Sequence, residues 1–195
     1  MYVNFVSTLL LLLPLSSSIS EDVCSDGLDL SCDTECPLSV TIGTSTPSCR
    51  DSVTLSIWSE TAPSLSLSCD APVGKKFGLL MTDPDAPNCA SPRAKYWLHW
   101  LTLNANLKDG KFLDFSGADV VAPFAPPTPP TPPAGSPPFH RYQFTVFSYS
   151  GTKSAVTANG VRSIMAGRKD FRAEFANLFQ NYDVVAQTEF RTKRD

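Results

Sequence analysis

Between residues 50 and 160 the chain reads as short apolar runs punctuated by turn residues. Val53, Leu55 and Ile57 alternate with Ser52, Thr54 and Ser56, the period-two pattern of a half-buried strand. Leu65 and Leu67 repeat the pattern. Phe77 to Met81 is a short apolar run closed by Asp83-Pro84, and Tyr96 to Leu103 is a second, rich in aromatics and closed by Asn104. Both predict buried strands. Tyr142, Phe144 and Val146 alternate again, so at least five strands are expected, with no helical periodicity before residue 160. Phe171, Phe175, Leu178 and Phe179 then fall at i, i+4, i+7 and i+8, which predicts an amphipathic helix over residues 169–181 with its apolar face on the sheet. Val184, Val185 and Ala186 suggest a short final strand. The expected fold is all-β dominated: an antiparallel sheet or β-sandwich with a C-terminal helix.

A chain of 195 residues leaves room for one ordinary domain, since domains commonly hold about 100–200 residues. With 42% hydrophobic and 18% charged residues it can bury a core. The net charge of -3 lacks the basic footprint of a phosphate-backbone binder, so nucleic acid is not an expected partner. Charge is uneven, however: residues 21–100 carry 11 acids and 5 bases, residues 101–195 carry 8 acids and 11 bases, and this leaves room for a locally basic site. Residues 123–138 hold nine of the 17 prolines, a run that cannot join a sheet ladder and favours polyproline II. It reads as a stiff surface loop between two strands rather than a docking ligand, because proline-recognising modules are mostly intracellular.

Residues 1–20 carry no charged side chain, and their apolar run is too short to span a bilayer. Small residues follow at Ser16, Ser17, Ser18 and Ser20, so the segment is expected to be a signal peptide, although only the α-amino group supplies positive charge. Cys24, Cys32, Cys36, Cys49, Cys69 and Cys89 all lie beyond it and before residue 90. An even count in a secreted chain predicts three disulfides, with 15 pairings open. A zinc site is disfavoured by the spacing of Cys32 and Cys36 and by the lack of a nearby histidine. Residues 21–50 read as an acidic, cysteine-containing N-terminal extension, solvated and disulfide-tied over residues 21–35, and residues 51–195 as the folded domain.

The candidate chemistry centres on the two histidines, His99 and His140. Strand parity puts His99 on one face with Trp97 and Leu101, and His140 with Tyr142 and Phe144. Thr82-Asp83-Pro84-Asp85-Ala86-Pro87 presents two carboxylates from a proline-restricted turn. Parity also points Arg141 away from His140, where an ion pair with Asp85 would lock that turn. No nucleophile elbow or phosphate loop is present. Two histidines and one carboxylate are a conceivable metal set, but no close spacing supports it, and no metal or cofactor is expected.

The runs Leu79-Leu80-Met81-Thr82-Asp83-Pro84-Asp85-Ala86-Pro87, Tyr96-Trp97-Leu98-His99-Trp100-Leu101 and His140-Arg141-Tyr142 resemble the signature segments of the phosphatidylethanolamine-binding proteins. The resemblance implies a β-sandwich with a small anion-binding pocket at one end. It places Asp83, Pro87, His99, His140 and Tyr142 around that pocket, with Trp97 as a candidate wall. Joined to the signal segment and the cysteines, it leads to the expectation of a secreted, non-enzymatic binder of phosphate-bearing ligands: a phospholipid head group, a small phosphate anion, or the membrane surface that displays the lipid. The alternative is an inhibitor of serine proteases or another regulator acting by protein contact. Three features depart from the family pattern. Phe190 stands where members often have a pocket tyrosine, Pro138-Phe139 precedes His140 in place of a glycine-containing pair, and the proline run is long enough to narrow or cover the entrance.

Overall fold

The computed structural model describes residues 24, 29–93, 96–151, 171 and 182–194. Eight strands appear among the described residues: β1 (Leu38–Thr41), β2 (Ser64–Leu67), β3 (Lys76–Asp83), β4 (Trp97–Lys108), β5 (Phe112–Asp114), β6 (Asp119–Ala122), β7 (Phe139–Tyr149) and β8 (Asp183–Lys193). They form one antiparallel sheet in the order β1-β2-β5-β4-β3-β7-β8, with β6 paired to β4 off this path. The terminal strands β1 and β8 approach each other, so the sheet is nearly closed. The all-β antiparallel architecture agrees with the sequence. Among the described residues the layout is a single continuous hydrogen-bonded path. The signal segment lies outside the described residues, as does the predicted helix apart from Phe171, which is helical and buried.

Alternation of side chains along β3 and β7 sorts the core into two faces. Phe77, Leu79 and Met81 of β3 and Tyr142, Phe144 and Val146 of β7 join Val40, Leu65, Leu67 and Phe190 in one cluster. On the other face Leu80, Phe147 and Tyr149 pack with Leu98, Leu101, Leu103 and Phe171. Gly78 faces its register partner Phe147, whose ring lies where a β-carbon would project.

One expectation needs correcting. Residues 53–57 are not a strand: Ser52 makes a single parallel bridge to Arg191, and Leu55–Ile57 form a 3-10 turn. Only Val53 and Trp58 of this stretch are buried, so the alternation was local and Ile57 stands 39% exposed. The segment instead covers the outer edge of β8 through Arg50 N–H to the Glu189 carbonyl and Val53 N–H to the Arg191 carbonyl, satisfying an edge that would otherwise be open. Within residues 21–50, β1 pairs with β2 and belongs to the sheet.

Three disulfides close Cys24–Cys89, Cys32–Cys49 and Cys36–Cys69, and none of the six cysteines is free. Such bridges persist in oxidising compartments. The first ties the N-terminal segment to the loop that follows the Asp-Pro-Asp-Ala-Pro turn.

Candidate functional site

Three strand ends build the site. Asp83 closes β3 on the face that carries Met81, His140 and Tyr142 open β7 on the matching face, and Trp97 and His99 open β4. In β4 the register slips: Leu98 pairs with Thr82 and Trp100 with Met81, leaving His99 as the extra residue of a bulge. Bulges re-aim side chains, and this one brings His99 to the cavity while Trp100 enters the core on the same side. The parity reading therefore fails for one residue: Leu101 packs on the opposite face, with Leu98 and Leu103.

The resulting cavity of about 420 Å³ is lined by Asp83, Ala86, Pro87, Arg93, Trp97, His99, Thr128, Pro129, Pro130, His140 and Tyr142. Its size falls in the range of small-molecule sites, about 300–1,000 Å³. Of the residues picked out by motif, Asp83, Pro87, Trp97, His99, His140 and Tyr142 converge here. Phe190 does not: it is fully buried beneath the floor, its ring 5.8 Å from that of Phe144. The proline run does reach the entrance, with Thr128, Pro129 and Pro130 forming one wall. Arg93 was missed. It sits in an irregular turn with no periodic or motif signal, and only the folded loop brings it to the mouth.

Buried polar groups must be satisfied, and the floor meets that demand internally. His140 Nδ1 donates to Asp83 Oδ2 at 2.7 Å; a carboxylate accepts, so the proton lies on Nδ1. Asp83 Oδ1 accepts the Asp85 N–H at 2.7 Å. His99 Nδ1 donates to the Ala125 carbonyl at 2.8 Å, and the Ala125 N–H returns a bond to the His99 carbonyl at 2.9 Å. That exchange orients the His99 ring. The ring also meets Tyr142 edge-on at 5.1 Å.

Burial pulls the His140 pKa down, but the hydrogen bond and charge of Asp83, the charge of Asp85 and a backbone bond with Pro87 outweigh it and raise the value above 6.5. Tyr142 is held well above its ordinary pKa by burial and by the charges of Asp83 and Asp85, so it remains a neutral phenol.

Behind the turn, Arg141 and Asp85 form the expected lock. Arg141 donates to Asp85 from its backbone N–H at 2.8 Å, from Nε at 3.0 Å and from Nη2 at 2.6 Å. Its Nη1 reaches Asp29 at 3.2 Å, giving one acid of the N-terminal segment a structural role. Asp83, His99 and His140 do not converge as metal ligands. The described group close enough to share an ion is Cys24, Asp85 and Cys89, and its two sulfurs are joined to each other.

An all-β frame thus holds a small cavity of imidazole, carboxylate and phenol at one end. The chain belongs to the phosphatidylethanolamine-binding protein family, whose model matches residues 39–180. Among solved structures, a carboxypeptidase Y inhibitor complexed with its cognate proteinase superposes with a TM-score of 0.61 at 19% identity, covering 81% of this chain and 83% of that one. The phosphatidylethanolamine-binding protein of Plasmodium vivax superposes at 0.56 with 13% identity over 91% and 93% of the two chains. That of Plasmodium falciparum gives 0.53 at 15% identity over 90% and 92%. At these identities the superpositions establish the shared fold.

Proposed function

We propose that this protein is a secreted, non-enzymatic binding protein for phosphate-bearing ligands, with phosphatidylethanolamine-type head groups as the leading class. The observation that carries the reading is the convergence of Asp83, His99, His140 and Tyr142 on one head-group-sized cavity. Imidazole and phenol donors suit phosphate oxygens, and a carboxylate suits an ammonium. The imidazoles are held by Asp83 and Ala125, an arrangement that orients donors. Three closed disulfides favour an extracellular destination.

The likeness to a carboxypeptidase Y inhibitor favours a second reading, inhibition of a protease by surface contact. One experiment separates the two: the mature protein is titrated with phosphorylethanolamine and with phosphatidylethanolamine vesicles, and the same preparation is assayed for protease inhibition. Saturable ligand binding without inhibition supports the first reading. Inhibition by a preparation that binds neither ligand overturns it.

A further inference from the structure

We infer that Arg93 is the anion anchor of the cavity, pinning the phosphate of a small organic phosphate at the mouth opposite the wall of Thr128, Pro129 and Pro130. The inference rests on the reading of this cavity as a phosphate-ligand site and names the residue that the family motifs leave out. Its basis is the charge left over once the floor has satisfied itself. His140 and Asp83 are bonded to each other, so their charges cancel at short range. Arg141 is spent on Asp85 and Asp29 and faces away from the cavity. His99 donates its Nδ1 proton to Ala125. A floor so arranged can hydrogen-bond a ligand, but its Asp83 and His140 charges are engaged with each other.

Among the described residues that line the cavity, Arg93 is the permanent cation. Its exposed side chain makes no hydrogen bond or ion pair with another described residue. The loop that carries it is tied down: the Ser91 N–H bonds both the Asn88 carbonyl, at 3.2 Å, and Asn88 Oδ1, at 3.0 Å, and Cys89 is bridged to Cys24. The backbone leading into Arg93 is therefore anchored beside the cavity, while its guanidinium stays exposed. Its planar fork matches two phosphate oxygens at once. Ala86, Pro87, Trp97, Pro129 and Pro130 supply apolar walls, which strengthen a charge-assisted bond by excluding water and reward an organic substituent on the phosphate.

The test is calorimetric titration at pH 7.5 of wild type, Arg93→Gln and Arg93→Lys with phosphorylethanolamine, inorganic phosphate, and vesicles with and without phosphatidylethanolamine. Wild type is expected to bind phosphorylethanolamine more tightly than inorganic phosphate. Arg93→Gln should lose about tenfold to a hundredfold in affinity, the scale of a hydrogen bond to a charged group. Arg93→Lys should keep part of it, with the thermal midpoint unchanged in both variants. A loss confined to the soluble ligand supports the anchor and identifies a free phosphate ester as its source; a parallel loss on phosphatidylethanolamine vesicles supports it for the lipid head group. If Arg93→Gln binds phosphorylethanolamine as tightly as wild type, the anchor assignment is wrong while the cavity reading stands. If wild type binds none of the probes, both fall.

Discussion

Replacing Arg141 with methionine removes the guanidinium while keeping most of the apolar stem, so any loss of stability reports the polar lock rather than an empty cavity. The side chains of both partners are sealed from solvent, at 0% exposure for Arg141 and 1% for Asp85. Two side-chain hydrogen bonds join them, and the backbone bond from Arg141 N–H to Asp85 remains in the variant. Asp85 is then left as a buried carboxylate without its counter-charge, a change that costs about 3–5 kcal/mol. The part-buried contact to Asp29 adds less, because that carboxylate keeps access to solvent when the guanidinium is removed. For a chain of this length about 2–4 °C accompanies each kcal/mol, so the thermal midpoint should fall by about 6–20 °C. Adding Asp85→Leu removes the orphaned charge. The double variant should recover most of the loss, short by about 1–3 kcal/mol for the Arg141 N–H that no longer has an acceptor. Thermal and urea unfolding of the disulfide-intact proteins gives both numbers. A single-variant cost below about 1 kcal/mol would refute the reasoning, since that is the scale of an exposed pair.

Gly78→Ala should destabilise by about 1–3 kcal/mol in urea unfolding, because the new methyl group meets the Phe147 ring and must displace it. The His140–Asp83 pair has a definite pH sign: the folded pKa of His140 is raised, so its stabilisation is complete below about pH 6.5 and fades as pH rises through the folded value. His140→Gln should flatten the midpoint-versus-pH curve on the alkaline side of about pH 6.5, and parallel curves for variant and wild type would contradict the assignment. The secreted form should begin near Glu21 and titrate no free thiol, which intact mass and thiol titration will check. An uncleaved N-terminus or free thiols would count against secretion.

What the sequence disclosed followed from how each element meets its surroundings. β2, β3, β4 and β7 carry long or clean apolar patterns because one or both faces are buried. β8 was legible only at Val184 to Ala186, because its remainder buries Thr188, Glu189 and Thr192. Thr192 accepts a bond from Trp58 Nε1 and Glu189 Oε2 one from Gln143, and periodicity does not foresee such partners. β1, β5 and β6 are three or four residues long, too short to show a period. The site floor was legible through its motifs, and the Arg141–Asp85 lock through strand parity alone. Arg93 and the Thr128–Pro130 wall arrive on loops, where geometry comes from distant ties rather than from pattern. The bulge at His99 explains the remaining error: one extra residue moved Leu101 to the opposite face.

A crystal structure of the mature protein with phosphorylethanolamine bound tests the central claim most directly. The account predicts the phosphate within hydrogen-bond distance of Arg93, with the ligand seated among Asp83, His99, His140 and Tyr142. A ligand bound elsewhere, or an empty cavity at saturating concentration, would contradict it.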